Sequence, residues 1–345
     1  MWWILACSSP PSNPEPVVSD ACAAAFAPAA GPLSAETSAT DDPFALASLR
    51  LREARLTGDP GFYTLADLAL TCASEGRPDD PEVRALQAHV LTQFHRFAEA
   101  EAILAPLAAT TGSWRHQMFL GDARLDQGDL EGARTAFEAA LARHPGLELY
   151  DRMADLAWLG GDLPAAIDWE RRALSAASPS DPEPMAWVAS RLGWYRALAG
   201  ERPDELGLAV TVLPDHPAAN LLLGRYLLFD GHLEQAADHL RRAGKTMEAL
   251  RALHEIDPSV DVSEARLQDR RAWALWIADR DPGEALALLD RELEQRRDAF
   301  TRVARARVAH QQGEDVRAEV ADALATGIRE PLVLLMAAEA TEDPA

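Results

Sequence analysis

Four aspartates are spaced so that they can act together. Asp122 and Asp126 are four residues apart, as are Asp151 and Asp155. On a helix that interval puts both carboxylates of a pair on one face. Two such pairs make either an acidic surface that steers a basic peptide or domain, or the ordinary solvated face of an acidic protein. Arg115 shares the face of Asp122, seven residues earlier, and relieves part of its charge. Calcium would need oxygens that converge on one point, which straight helices do not supply. Trp158, Trp169, Trp187, Trp194, Trp273 and Trp276 fall in helical patterns, either filling core or standing as anchors for a partner. His89, His95, His232, His239, His254 and His310 are scattered, and surface or capping roles are expected of them. Cys7, Cys22 and Cys72 have neither CxxC spacing nor a paired histidine, which argues against zinc. The chain has no GxxxxGK[ST] loop, no GxSxG elbow and no HExxH. No enzyme activity, cofactor or metal is therefore expected.

The elements that must position these residues are helices in series. The clearest unit holds Leu120-Gly121, a turn at Gly128-Asp129, then Ala133 and Phe137, and closes at Pro145. A second holds Leu223-Gly224, Gly231, Ala236 and Leu240, a third Ala154, Gly161 and Ala166, and a fourth Leu192-Gly193, Gly200 and Pro217. In the fourth, Glu205 stands where a small residue is expected. Ala100, Ala133 and Ala166 lie 33 apart, as do Gly128 and Gly161, and Ala285 and Ala318. Several residue types agreeing on one period indicate a repeat of two antiparallel helices. Small residues such as Gly121 let the helices approach. Gly128 ends the first helix, Asp129 caps the second, and Pro145 stops the unit.

This pattern resembles the tetratricopeptide repeat, with its Leu-Gly, Ala-x3-Phe and Pro at a period of about 34 residues. The resemblance implies an all-α fold, a right-handed superhelical solenoid over residues 42–345. Its eight hairpins would begin near Asp42, Pro81, Trp114, Leu147, Ala186, Pro217, Arg266 and Ala299, and a cap helix over Glu330 to Thr341 would close it. The intervals lengthen at Ser178–Pro184 and between Gly244 and Ser263, where a loop or a short extra helix is expected. Asp261-x-x-Glu264 resembles a capping box that restarts the array. In the resembling family the first helix of each unit lines a concave groove. That places Arg115, Asp122, Asp126, Asp151, Asp155, Trp158, Trp194 and Arg225 on the groove. The implied partner is a protein or peptide, basic if the aspartates steer it. Family members that grip a C-terminal carboxylate use Lys, Asn and Arg, whereas the matching positions here are largely acidic or apolar.

The N-terminal run Ile4-Leu5-Ala6-Cys7 resembles a bacterial lipobox, followed by a tether rich in Ser and Pro. It implies acylation of Cys7. With Ser8 next, it implies an outer-membrane lipoprotein facing the periplasm. Only six residues precede Cys7 and none is basic, so a signal peptide requires a start further upstream. Otherwise the chain is a cytoplasmic interaction module. Residues 8–41 read as a disordered linker containing Cys22, about 30–35 Å in root-mean-square span. Cys72 reads as a small buried hydrophobe.

Bulk composition narrows the partners. Thirty-three basic against 55 acidic residues give a net charge of −22, and Lys245 is the single lysine. Such a surface repels nucleic acid and anionic membrane, leaving the lipid at Cys7 as the route to a bilayer. No run of 18 apolar residues is present. The expected function is a protein-docking scaffold, lipid-anchored in the bacterial envelope.

Overall fold

The chain is a run of helices whose boundaries are written in Asp, Pro and Gly. The computed structural model describes residues 18–265 and 269–341, so Cys7 and Arg266 lie outside the described residues. Two short helices, α1 (Val18–Ala25) and α2 (Ser34–Ala39), come first. Eight hairpins follow. They are α3 (Pro43–Thr57) with α4 (Gly61–Gly76), α5 (Pro81–Gln93) with α6 (Phe97–Thr111), α7 (Trp114–Asp126) with α8 (Leu130–Leu141), and α9 (Leu147–Leu159) with α10 (Leu163–Ala176). Then come α11 (Pro182–Leu198) with α12 (Asp204–Val212), and α13 (Pro217–Phe229) with α14 (Leu233–Arg242). An unpaired α15 (Met247–Ile256) and a 3-10 turn (Val262–Ala265) precede α16 (Arg270–Ile277) with α17 (Pro282–Leu293). The array ends with α18 (Ala299–Gln311), α19 (Arg317–Leu324) and the cap helix α20 (Pro331–Thr341).

Local chemistry sets these ends. The carboxylate of Asp129 accepts from the Gly132 amide at 2.8 Å and that of Asp162 from Ala165 at 3.0 Å. Asp42, Asp80, Asp269, Asp281 and Asp298 cap their helices in the same way. Within a hairpin the Leu-Gly position sets the helix separation. A Cβ on Gly121 would lie 2.3 Å from the Phe137 ring, and one on Gly224 would lie 2.8 Å from Leu240. In the fifth hairpin, Gly193 meets Leu206 instead. Glu205, at the expected small position, is half-buried and accepts from Arg196 at 2.5 Å.

Three features differ from the sequence reading. Residues 18–39 are not linker. Ala21 and Ala25 are buried, and a disulfide joins Cys22 to Cys72 on α4 with Cα atoms 4.8 Å apart. An Ala-rich segment loses little side-chain entropy on ordering, so one cross-link and a small apolar face suffice to dock it. Glu53 holds the following loop, accepting from the Leu33 amide at 3.1 Å and from Arg50 at 2.7 Å. Cys72 is therefore a half-buried bridge rather than a free buried thiol. Asp261 accepts from the Ser263 amide and opens only a 3-10 turn, while the restart of the array at α16 is capped by Asp269.

The solenoid closes on itself. The Arg329 amide donates to the Leu159 carbonyl at 2.6 Å. Gly128 abuts the backbone of Arg297 and Asp298, and Gly161 abuts Arg329. Leu130 and Leu159 complete the apolar core of the last two hairpins. At the other end, Arg52 and Arg55 of α3 donate to Asp181 and Glu183 at the start of α11.

Candidate functional site: a closed central cavity

Closure turns the concave groove into a cavity of about 890 Å³. Its walls are the first helices of the hairpins from α5 onward together with α15 and the Thr326–Val333 segment. The residue after each Leu-Gly position points inward. In successive units these are Asp122, Asp155, Trp194 and Arg225, and all four line the cavity. Four residues further on come Asp126, Leu159, Leu198 and Phe229, which line it too. Over the first three of these units the wall changes from acidic to apolar, one position at a time, and in the fourth Arg225 adds a cation.

The acidic part is not an open groove. Arg152 grips Asp122 with two bonds of 2.7 Å. Arg191, missed in the sequence reading, sits among Asp151, Asp155, Glu170 and Tyr195. It lies 3.1 Å from Asp151, donates to Glu170 at 2.7 Å, to the Tyr195 hydroxyl at 2.6 Å and also to Asp155. The Trp187 indole N–H donates to Asp151 at 3.1 Å. Asp151 and Asp155 are each 2% exposed. The expectation that they present an exposed acidic face is corrected, because stacking hands each carboxylate an arginine from the next unit. Burial raises Glu170 well above the usual carboxylate range, with Asp151 adding to it, and raises Tyr195 likewise.

Arg115 is also displaced from its expected place. It lies outside the cavity, exposed, with its guanidinium 5.1 Å from the Trp114 ring centre. Trp158 is buried and stacks on Tyr195 at 5.4 Å, with one edge on the cavity. Trp194 is half-buried and carries the Arg225 guanidinium 4.6 Å from its ring centre.

Several groups that face the cavity have shifted protonation. Burial pushes Asp126 up to about 7, and burial with Asp269 pushes Glu248 up to about 7. Burial lowers His89 to about 3, and burial with nearby arginines lowers His95 to about 2, so both imidazoles are neutral. His89 stacks on Phe119 at 4.5 Å, which corrects its expected surface role.

The lip of the cavity is apolar. Phe229 is 92% exposed, Leu198 44% and Leu332 41%. The sequence reading passed over them because an apolar residue near a helix end looks like core. The four-residue step from Trp194 to Leu198 and from Arg225 to Phe229 was the available signal.

Residues 85–148 and 120–182 match the tetratricopeptide repeat family. No curated protein matches the chain significantly. Among solved structures, the APC/C hetero-tetramer Cut9-Hcn1 superposes with a TM-score of 0.51 at 15% identity, over 89% of this chain and 56% of that one. The chain thus spans little more than half the length of that relative. The human IFIT1 dimer with PPP-AAAA also gives 0.51 at 15% identity, over 86% of this chain and 72% of that one. At such identities the likeness is one of fold. Residues 85–182 thus match the tetratricopeptide repeat, and the remaining hairpins continue the same helical-repeat fold around the cavity.

Proposed function

We propose that the chain is a docking scaffold that holds an extended segment of another protein in its central cavity. The observation that carries this is the open lip, where Leu198, Phe229 and Leu332 are exposed at the mouth of the cavity. Apolar side chains left in water at the rim of a pocket mark a surface that a partner covers. Closure of the superhelix favours a loop or chain end over a folded domain, because the walls cannot spread without breaking the Arg329–Leu159 contact. The buried side chains around Arg191 serve to hold the wall and carry no reaction step. A photoreactive phenylalanine in place of Phe229 should cross-link to a discrete protein in the native cell, while the same probe at Arg115 should not. Equal adducts at both positions would remove the reading.

The scaffold is further proposed to be held in the bacterial envelope through acylated Cys7. Besides the lipobox-like run, the Cys22–Cys72 disulfide supports this, since such bonds persist in oxidising compartments. Mass spectrometry of the protein expressed from its native locus should find an acylated N-terminal Cys7. An unprocessed N-terminus in the cytosolic fraction would favour a cytoplasmic module instead.

A further inference from the structure

We infer that the cavity selects an apolar segment carrying one acidic side chain, and that Arg225, stacked on Trp194, receives that carboxylate. The inference rests on the cavity being the docking site and concerns what it accepts.

Three observations carry it. First, several of the internal charges are matched. Asp122 has Arg152, Asp151 and Asp155 have Arg191, and Arg271 lies 3.4 Å from Asp298. Arg225 has no such partner and, unlike Arg251, which lies exposed against Trp276, is drawn into the wall. It lines the cavity, half-buried, and its contact is the Trp194 face, with no carboxylate of the described residues at ion-pair distance. A cation so placed gains from an incoming anion more than an exposed one does, because water does not screen the pair as fully. The indole fixes the guanidinium plane, which suits it to bidentate contact. Second, the nearest competitor is weak. Glu248 on α15 is the first carboxylate to act on Arg225, and burial lifts its own pKa to about 7. Third, Phe229, Leu198 and Trp194 give the wall around Arg225 an apolar component, beside the charged Arg251 and Glu255. A basic segment would bring its charge against Arg225 and find Asp122 and Asp155 already paired, while burial lifts the pKa of Asp126 and of Glu248 to about 7. The net charge of −22 opposes an anion at long range, but that field decays over about 8 Å at physiological salt. Inside the cavity the local cation decides.

The test is a random peptide library displayed on phage and panned against the full chain, against its Phe229→Ser variant, and against Arg225→Gln. Peptides that depend on Phe229 should be apolar with one Asp or Glu. Changing that acid to its amide should weaken binding to the native chain about tenfold. Arg225→Gln should level the acid and the amide while leaving the apolar requirement. Arg225→Lys, with its melting temperature checked, should keep part of the preference and so separate lost charge from lost fold. Phe229-dependent peptides that are basic or uncharged would overturn this inference and leave the docking cavity standing. No Phe229-dependent enrichment at all would overturn both.

Discussion

Arg191 shows how much a single residue decides in this interior. It is the shared cation of three buried carboxyl groups and hydrogen-bonds a buried tyrosine. Arg191→Leu should destabilise the chain by about 3–5 kcal/mol, read by denaturant unfolding, because the carboxylates left behind are buried without a partner. A loss below about 1 kcal/mol would mean that water reaches the cluster. Glu170 provides a test with a sign. Its folded pKa lies well above the ordinary 4.5, so the folded chain binds this proton more tightly than the unfolded one. The resulting stabilisation is full below 4.5 and is lost as pH rises through the folded value. Glu170→Gln keeps an oxygen to accept from Arg191 and removes the titration. Its melting temperature should gain on the native chain as pH rises above 4.5 toward the folded value, and no gain as pH rises would refute the assignment. None of this was legible beforehand. Asp151 and Asp155 were visible as a pair, but Arg191 lies 36 residues beyond Asp155 and shows its relation to them only once the units stack.

At the level of the helix, the sequence was a close guide. The spacing of Ala133, Phe137 and Gly128 placed α7 and α8 because a hairpin is a local object, fixed by caps, turns and a two-helix contact. Gly121 sits where a Cβ would be 2.3 Å from Phe137. Gly121→Leu should therefore cost about 1–3 kcal/mol by overpacking, seen as a lower melting temperature, and an unchanged one would refute this register. The first helices α1 and α2 escaped notice for the opposite reason. They have little periodicity and are held by a contact 50 residues away in sequence. Replacing Cys22 and Cys72 by serine should release them. By loop-closure entropy the bridge is worth about 4 kcal/mol. Hydrogen exchange should show residues 18–41 losing protection before α5 to α10.

On the scale of the whole molecule, closure is the property that matters. The turns at Gly128 and Gly161 are seats for Asp298 and Arg329. Gly161 has φ of +81° and little room toward Arg329. Gly161→Val should strain the turn and push the last hairpins away. Small-angle scattering should then report a larger radius of gyration with helix content kept. An unchanged radius would show that the closing contact tolerates the added bulk.

What the sequence determined by itself was the repeat: eight hairpins, a lengthened interval between Gly244 and Ser263 for a loop or a short helix, a cap helix, and inward-facing positions at Asp122, Asp126, Asp155, Trp158, Trp194 and Arg225. Those follow from interactions within about 35 residues, which a linear pattern records. The tertiary structure alone decided that the array closes, that Cys22 meets Cys72, that Asp151 and Asp155 are buried beside Arg191, and that Arg115 stands outside. Each depends on small rotations between units that accumulate along a superhelix, and on pairings between residues whose spacing no single repeat contains.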